Sequence, residues 1–223
     1  MIARKRLVSY IYDPLPAIEL SDMIVVMNSI AIEPNQQIAV DQTATLRCNP
    51  TEPKTCIHPL YSPAGRILSG FEPSDHRWHR GLWFTLKFVD NDNFWEEDEK
   101  TGSQVSSKHP QVLVDDEGSY TVEQEIFYRR PNGEDVIREQ RILRIERDEV
   151  AVRVDWNGKL EFLSDAHIDR TPFQGWGGYA GLGLRTTREL HDVRFLSPEG
   201  EHEAVLGDHI HGWRWMVCWM DLS

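Results

Sequence analysis

The chain is poor in cysteine and in long apolar runs. Cys48, Cys56 and Cys218 are the three cysteines among 223 residues, too few and too widely spaced for a disulfide framework or a Cys-x-x-Cys metal site. An odd number of cysteines favours a reducing compartment. No window approaches the roughly 20 apolar residues that a membrane-spanning helix needs. The sequence therefore predicts a soluble, cytoplasmic protein without a membrane partner.

Positive charge is also scarce. The chain has 24 Lys and Arg against 36 Asp and Glu, which gives a formal net charge of −12. No basic patch stands out, so a nucleic acid is not an expected partner. The same charge balance repels anionic substrates unless arginines gather locally. Asp13 and Pro14 interrupt the apolar run that a secretory signal would need after the basic start of the chain.

Several catalytic and structural patterns are missing. The chain has no Gly-x-Ser-x-Gly elbow, no amphipathic helix longer than about two turns and no internal repeat. The glycines of GWGGYAGLG, residues 175–183, do not have the spacing of a phosphate-binding loop. Cys56 has a nearby histidine, His58, but a small buried strand residue is the favoured interpretation of this cysteine.

Alternation of apolar and polar residues is the clearest pattern that is present. It predicts strands over residues 119–128, 136–146 and 150–156, joined by turns at residues 131–133 and 147–148. Three consecutive strands joined by short turns form a β-meander. In the first of them, one face carries Tyr120, Val122, Gln124, Ile126 and Tyr128.

Shorter strand-like pieces flank the meander. Residues 37–48 read as one half-buried strand with a slip in its alternation, and the polar run 98–110 reads as a solvated loop. Further pieces lie at 160–163, 182–186, 193–196 and 213–220. Many short strands with Gly and Pro turns predict an all-β protein, an antiparallel β-sandwich. Residues 1–35 form a poorly defined N-terminal segment and residues 36–223 the sandwich domain, which we expect to be incomplete at its C-terminus.

Residues 56–97 concentrate the side chains that carry chemistry. Histidines, tryptophans, arginines and carboxylates occur there together, interrupted by Pro and Gly, which is typical of a loop-built site at the edge of a sheet. These side chains are His58, Asp75, His76, Arg77, Trp78, His79, Arg80, Trp83, Trp95, Glu96 and Glu97.

A carbohydrate site is the first hypothesis for this cluster. Aromatic faces stack on the C–H surfaces of sugars, while His, Arg and carboxylates hydrogen-bond the hydroxyls. Mutarotation or β-elimination needs an acid and a base, and a His–Glu pair fits. Trp83 and Phe84 are assigned to the core. The predicted catalytic residues are His76, His79, Arg80 and Glu96, and the predicted substrate-binding residues are His58, Asp75, Trp78, Trp95, Trp176 and Arg185.

Two other classes of function stay open. In a non-catalytic sugar-binding module, the tryptophans would matter and the histidines would not. In a metalloenzyme, His76 and His79 would bind a divalent metal with His58 or Glu96 as a third ligand. His-x-x-His is weak evidence outside a helix, so no metal ligand is assigned. His209 and His211 lie on the same side of an extended segment and are interpreted as part of an exposed loop.

Three segments resemble one known family. HPLYSPAGR (58–66), DHRWHRGLWF (75–84) and FWEE (94–97) resemble the bacterial PmoA-like family, which is labelled a methane oxygenase and otherwise a domain of unknown function. GWGGYAGLGLR (175–185) resembles the glycine-rich strand of that family, and the resemblance covers about residues 45–223. It implies an all-β sandwich related to the galactose-mutarotase-like supersandwich, and a role in carbohydrate metabolism.

The chain departs from the family pattern in two places. Arg77-Trp78 stands where the family usually has Pro-His, so one clustered histidine is absent. The family also continues past residue 223, through another strand that contains a histidine. The oxygenase label implies a metal-dependent oxygenase as a third alternative. We give that label little weight, because particulate methane monooxygenase subunits are embedded in the membrane and this chain has no spanning segment.

Overall fold

β-Strands make up all the regular secondary structure in the described part of the chain. The computed structural model describes residues 43–48, 52–169 and 180–189 with their side chains, and the backbone of short strands at 2–3, 8–9, 28–29, 38–40, 190–197, 200–203 and 217–222. Among the described residues, no helix has the length and apolar composition to cross a membrane. In chain order the strands are β1 (Ile2–Ala3), β2 (Val8–Ser9), β3 (Asn28–Ser29), β4 (Ile38–Val40), β5 (Ala44–Arg47), β6 (Cys56–Leu60), β7 (Leu82–Thr85), β8 (Phe88–Val89), β9 (Asp92–Asn93), β10 (Ser103–Ser106), β11 (Gln111–Val114), β12 (Tyr120–Arg129), β13 (Asp135–Arg147), β14 (Val152–Phe162), β15 (Ala166–Asp169), β16 (Gly181–Leu184), β17 (Leu190–Ser197), β18 (Gly200–Glu203) and β19 (Val217–Leu222).

The β-meander of β12, β13 and β14 is the centre of the largest sheet. This seven-stranded sheet has the order β2-β14-β13-β12-β11-β3, and β10 pairs with the remaining length of the β12 edge. The turn between β12 and β13 contains Gly133 at φ 90°, a conformation that glycine adopts without steric cost. The predicted meander is therefore confirmed. So is the inward face of β12, where the buried side chains are Val122, Gln124, Ile126 and Tyr128.

A five-stranded sheet, of order β16-β7-β6-β5-β4, packs face to face on the meander. One apolar cluster joins the two sheets: Leu46 and Ile57 from the smaller sheet meet Val122 and Leu143 from the larger one, and each is 0% exposed. All strand pairs in the described chain are antiparallel. The prediction of an antiparallel β-sandwich is confirmed.

Two smaller sheets complete the described strands. One has the order β1-β15-β8-β9, and the other has the order β18-β17-β19. Val89 from β8 and Ala166 from β15 join a second apolar cluster, which also contains Tyr128, Ile137 and Leu160 of the meander. The smaller sheet around β8 therefore extends the interior of the sandwich.

A buried ionic network lies inside the sandwich. Arg141 and Glu139 on β13 are both 0% exposed, and Arg141 donates to Glu139 through Nε at 2.7 Å and Nη2 at 2.9 Å. Tyr128 donates its hydroxyl to Glu139 at 3.0 Å. The guanidinium also donates to Thr55, just before β6, and lies 4.6 Å from the Trp156 ring. The network therefore connects the two sheets through Arg141, Glu139, Tyr128 and Thr55, whose side-chain polar atoms are hydrogen-bonded to one another, as burial requires.

Four predictions for individual segments were wrong in detail. Residues 37–48 form a hairpin of β4 and β5, with Ile38 opposite Leu46, and not one strand with a slip. The run 98–110 contains β10, whose Gln104 is 3% exposed because it bonds to the backbone at Thr55 and Phe84. Val150 is 87% exposed, because the chain turns there before β14 begins. The piece at 160–163 belongs to β14, which runs on to Phe162.

Candidate functional site

A cleft of about 580 Å³ opens beside β16, the outer strand of the five-stranded sheet in the described chain. The loop between β6 and β7, the strand β7 and the segment after β9 contribute the base of the cleft. Residues 180–188 contribute its wall. The lining residues are His79, Trp83, Trp95, Ala180, Leu182, Gly183, Leu184, Arg185, Thr186, Thr187 and Arg188.

Aromatic rings form the base of the cleft. The ring centroids of His79 and Trp83 are 5.2 Å apart, and those of Trp83 and Trp95 are 5.4 Å apart. Trp83 is 2% exposed and Trp95 is 5% exposed. A Cβ at Gly183 would lie 3.0 Å from the Trp83 ring, so a glycine in β16 allows the strand to approach the indole. The assignment of Trp83 to the core is confirmed, and the same ring lines the cleft.

Two consecutive tight turns position the histidines. His76 donates its backbone N–H to Pro73 at 3.0 Å, and His79 donates its own to His76 at 3.0 Å. The imidazole rings of His76 and His79 consequently stack with centroids 4.8 Å apart and planes inclined by 29°. Trp78, between them in the chain, packs edge-on against both rings. Gly81 closes the loop at φ 67°, in the left-handed region that favours glycine.

His79 is a neutral side chain at neutral pH. Burial lowers its pKa to about 4, with help from the nearby positive charges of His76, Arg185 and Lys54. Its Nδ1 atom is buried and has no hydrogen-bond partner among the described residues. A neutral imidazole beside a cleft can accept or donate one proton or hydrogen bond at each nitrogen.

Asp75 gathers the charges at the mouth of the cleft. Its carboxylate lies 3.1 Å from His76 Nδ1, 3.0 Å from Arg185 Nη2 and 3.4 Å from Arg188 Nη2. The hydrogen bond with His76 is the largest cause that holds the pKa of Asp75 well below its usual range, and a backbone hydrogen bond and the hydrogen bond with Arg185 add to it. Asp75 is therefore a permanent anion that is shared by two arginines.

Arg80 lies in a second ionic cluster behind the aromatic base. It is 6% exposed and pairs with Glu97 through two bonds of 2.7 and 2.6 Å, and with Glu72 at 2.9 Å. Lys54 also pairs with Glu97, at 2.9 Å, and donates to the backbone carbonyls of Trp78 and Trp95. Burial lowers the pKa of Lys54 to about 8. These contacts fix the backbone that carries the tryptophans.

Two other predicted site residues also have partners away from the cleft. Glu96 pairs with Lys87 and accepts from Asn93 at 2.6 Å. His58 stacks on Phe71 at 4.9 Å and lies 2.9 Å from the Ser69 hydroxyl. Neither side chain lines the cleft.

The match to a known family covers the whole site. Residues 37–223 match a protein family that is described as a family of unknown function, DUF6807. The chain belongs to this family. The comparison with curated proteins found no match, and the comparison with solved structures found none either. The expectation of a domain of unknown function is thus confirmed, and the function of this DUF6807 protein has to be argued from the cleft.

The structure brings together about half of the predicted site of this DUF6807 domain. Asp75, His76, His79, Trp95 and Arg185 meet at the cleft or at its mouth, with Trp78 against the histidine pair. His58, Arg80 and Glu96 lie outside the lining. Trp176, His209 and His211 fall outside the described residues.

The described part of the DUF6807 domain contains no ready metal site. Within residues 43–48, 52–169 and 180–189, no three His, Cys, Asp or Glu side chains are placed to hold one ion. His58 and Glu96, the expected third ligands, are engaged with Ser69 and Lys87 instead. Cys56 is a buried strand residue, as expected, and burial raises the pKa of its thiol to about 12.

Sequence reasoning missed three polar lining residues. Thr186, Thr187 and Arg188 follow Arg185 directly, and all four line the cleft. The polar run RTTR at residues 185–188 follows an apolar stretch. This pattern could have indicated the site, because loops at the ends of strands commonly carry binding residues. Trp83 was among the aromatic side chains considered for the site, but the core was favoured because its place in a strand gives no sign that the strand borders a cleft.

Proposed function

We propose that this DUF6807 protein binds a carbohydrate in the cleft and modifies it by a proton transfer that involves His79. The supporting observation is the composition of the cleft, whose lining combines the aromatic side chains of Trp83, Trp95 and His79 with threonines and arginines. Sugars are bound by such combinations of aromatic faces and hydrogen-bonding groups. A volume of about 580 Å³ is within the usual range for small-molecule sites.

His79 is the lining residue best suited to acid–base chemistry. Of the described lining residues it is the one whose side chain can both accept and donate a proton, because the others carry apolar, hydroxyl, indole or guanidinium groups. Its neutral imidazole can accept a proton from a sugar carbon or hydroxyl, and the stacked His76 can act as its acid–base partner. Epimerisation, mutarotation and β-elimination all need this kind of transfer. The resemblance to the PmoA-like family, and through it to galactose-mutarotase-like sandwiches, agrees with this proposal.

A non-catalytic carbohydrate-binding module is the second candidate. It is favoured by the positions of Arg80 and Glu96, two of the four expected catalytic side chains, because both are held in ion pairs away from the cleft. A binding module needs the tryptophans and the polar wall but no acid–base residue. The metal-dependent oxygenase is a third hypothesis, and stoichiometric iron, copper or zinc in the purified protein would support it.

Replacement of His79 by alanine distinguishes the first two candidates. Binding is measured calorimetrically on a panel of hexoses, uronic acids and hexose phosphates, and turnover by proton NMR of the same sugars in D₂O. The NMR spectra report anomer exchange, deuterium uptake and alkene formation. For an enzyme, we expect His79→Ala to lower turnover by about 100-fold or more while affinity is largely kept.

The matched control is His109→Ala, which removes an exposed histidine on a loop remote in sequence from the lining residues. This variant should keep both binding and turnover. Sugar binding without turnover in the wild-type protein would favour the binding module. No binding of any sugar by the folded protein would contradict both candidates.

A further inference from the structure

The charges that line the cleft have the opposite sign to the charge of the chain. The whole chain has a formal net charge of −12, yet the permanently charged residues of the described lining are Arg185 and Arg188, and no carboxylate is among them. Local positive charge on an acidic protein draws anions to that place by focusing the field. The positive charge of its lining therefore sets this cleft apart from the chain as a whole, which is negatively charged.

The two arginines converge on a single carboxylate. Both guanidinium groups reach Asp75, at 3.0 Å from Arg185 and 3.4 Å from Arg188. One carboxylate between two guanidiniums leaves an excess of positive charge. The arrangement also shows that both side chains can bind the same small anionic group, since a planar guanidinium suits carboxylate and phosphate oxygens equally well.

The backbone fixes Arg185, whereas the side chain of Arg188 projects into solvent. Arg185 donates its N–H to Gly81 at 2.7 Å and accepts from Gly70 at 2.7 Å. Its side chain is 26% exposed, and that of Arg188 is 75% exposed. A partly buried cation on an anchored backbone and an exposed cation beside it form a site that a ligand can enter from solvent.

We propose that the ligand of the cleft is an anionic sugar, a uronic acid or a sugar phosphate, and that Arg185 and Arg188 bind its anionic group. This inference rests on the proposed carbohydrate function and adds the substrate class. The sugar ring packs against the half-buried His79 imidazole, and the anionic group takes the place of Asp75 on one or both guanidiniums.

An anionic ligand in the place of Asp75 would keep the charge balance at His79. The positive charge of Arg185 lowers the pKa of the imidazole, and the negative charge of Asp75 raises it. A carboxylate or phosphate of the ligand on the same guanidinium takes over the part of Asp75.

The test is titration calorimetry with matched anionic and neutral sugars. The probes are D-glucuronate, D-galacturonate, D-mannuronate and the three corresponding hexose 6-phosphates, each compared with its neutral hexose. We expect at least one anionic sugar to bind tenfold or more tightly than its neutral counterpart, because hydrogen bonds to charged groups are roughly twice as strong as neutral ones. The uronates and the hexose phosphates are measured separately, so the result shows whether the preferred anionic group is a carboxylate or a phosphate.

Charge-removing variants connect the preference to the two arginines. Arg185→Gln with Arg188→Gln should abolish the preference, so that the anionic sugar and its neutral counterpart bind this variant with affinities within about twofold of each other. The control is Arg77→Gln, which removes the same charge from an exposed residue of the neighbouring loop that does not line the cleft. It should keep the preference. Thermal unfolding checks that each variant is folded.

Two results would overturn the inference, and they differ in their consequences. If neutral sugars bind as tightly as anionic ones, or if the double variant keeps the preference, the substrate class is wrong and the carbohydrate function stands. If neither neutral nor anionic sugars bind to the folded wild-type protein, the proposed carbohydrate function is wrong as well.

Discussion

His79 combines an aromatic surrounding with nearby cations, and both stabilise its neutral form. We expect the imidazole to be half-protonated near pH 4, measured by NMR titration of the ring protons. Arg185→Gln should raise this midpoint, because Arg185 is one of the charges that lower it, whereas Arg77→Gln should leave it in place. A midpoint above pH 6 in the wild-type protein would contradict the described environment of the ring.

The same shift determines how stability depends on pH at this residue. The folded-state pKa of His79, about 4, lies below the ordinary value of 6.5. As pH falls from 6.5 towards 4, the unfolded chain binds a proton at this position before the folded chain does, so the folded state loses stability. His79→Ala should therefore show a smaller loss of unfolding free energy between these pH values than the wild-type protein.

The predicted site residues divide according to what determines their position. Asp75, His76 and His79 lie within five residues of one another, so a local turn is enough to gather them. The partners of Arg80 and Glu96 depend on tertiary packing: Glu97 pairs with Arg80, and Lys87 pairs with Glu96. No local pattern indicates which neighbouring carboxylate a buried arginine selects, so these two roles could not be read from the sequence.

Gly81 determines how the histidine loop joins β7. A Cβ at this position would lie 2.3 Å from the Ile57 carbonyl oxygen, and its φ is 67°. Gly65 has a similar φ of 78°, but a Cβ there would meet nothing within 4 Å. Both alanine variants bear the cost of a left-handed conformation, about 1–2 kcal/mol. We expect Gly81→Ala to lose roughly 2 kcal/mol more unfolding free energy than Gly65→Ala, because backbone overlap adds strain.

Urea denaturation of the two glycine variants measures this difference. Gly81→Ala should also weaken sugar binding, because the loop carries His79 into the cleft. Equal losses of stability in the two variants would show that the close approach to Ile57 is relieved without strain.

The elements that were predicted correctly are those whose own residues alternate regularly between apolar and polar. The meander strands alternate over ten or more residues, and Asn132-Gly133 encodes their turn. The strand β10 has four residues, SQVS, whose polar composition is that of a loop. It is a strand because the edge of β12 beyond β11 offers it a pairing partner. Such pairing depends on distant residues, which explains the failure at residues 98–110.

The buried Arg141–Glu139 pair is a property of the whole sandwich, since it forms only when the sheets enclose it. We expect Arg141→Met to cost about 3–5 kcal/mol of unfolding free energy, because it leaves a buried carboxylate without its charge partner. Arg138→Met, on the same strand, removes an exposed pair with Glu161 and should cost less than about 1 kcal/mol.

A double variant checks the cause of that loss. Glu139→Gln with Arg141→Met removes both charges and retains an acceptor for the Tyr128 hydroxyl, so it should be more stable than Arg141→Met alone. Urea denaturation of the wild-type protein, Arg141→Met, Glu139→Gln and the double variant gives the coupling free energy of the pair. A double variant that is less stable than Arg141→Met would contradict the assignment to an uncompensated charge.

At the scale of the whole molecule, the sandwich followed from the sequence but the buried charges did not. Alternation places position 141 on the inward face of β13, where an arginine contradicts the apolar pattern. Its role becomes clear only when Glu139, Tyr128 and Thr55 surround it. The proposed cleft likewise depends on β16 pairing with β7, which brings residues 180–188 beside a loop about a hundred positions earlier in the chain.

The carboxylate of Asp75 acts as an internal competitor for the two arginines. A group tethered by a short loop has an effective concentration of roughly millimolar or more. A small free anion, such as acetate or phosphate, must reach a comparable concentration to displace Asp75 by charge alone. A sugar that also packs against the lining of the cleft gains affinity from a second source. The loop that carries Asp75 would thus screen out simple anions and admit only a ligand that has both a ring and a charge.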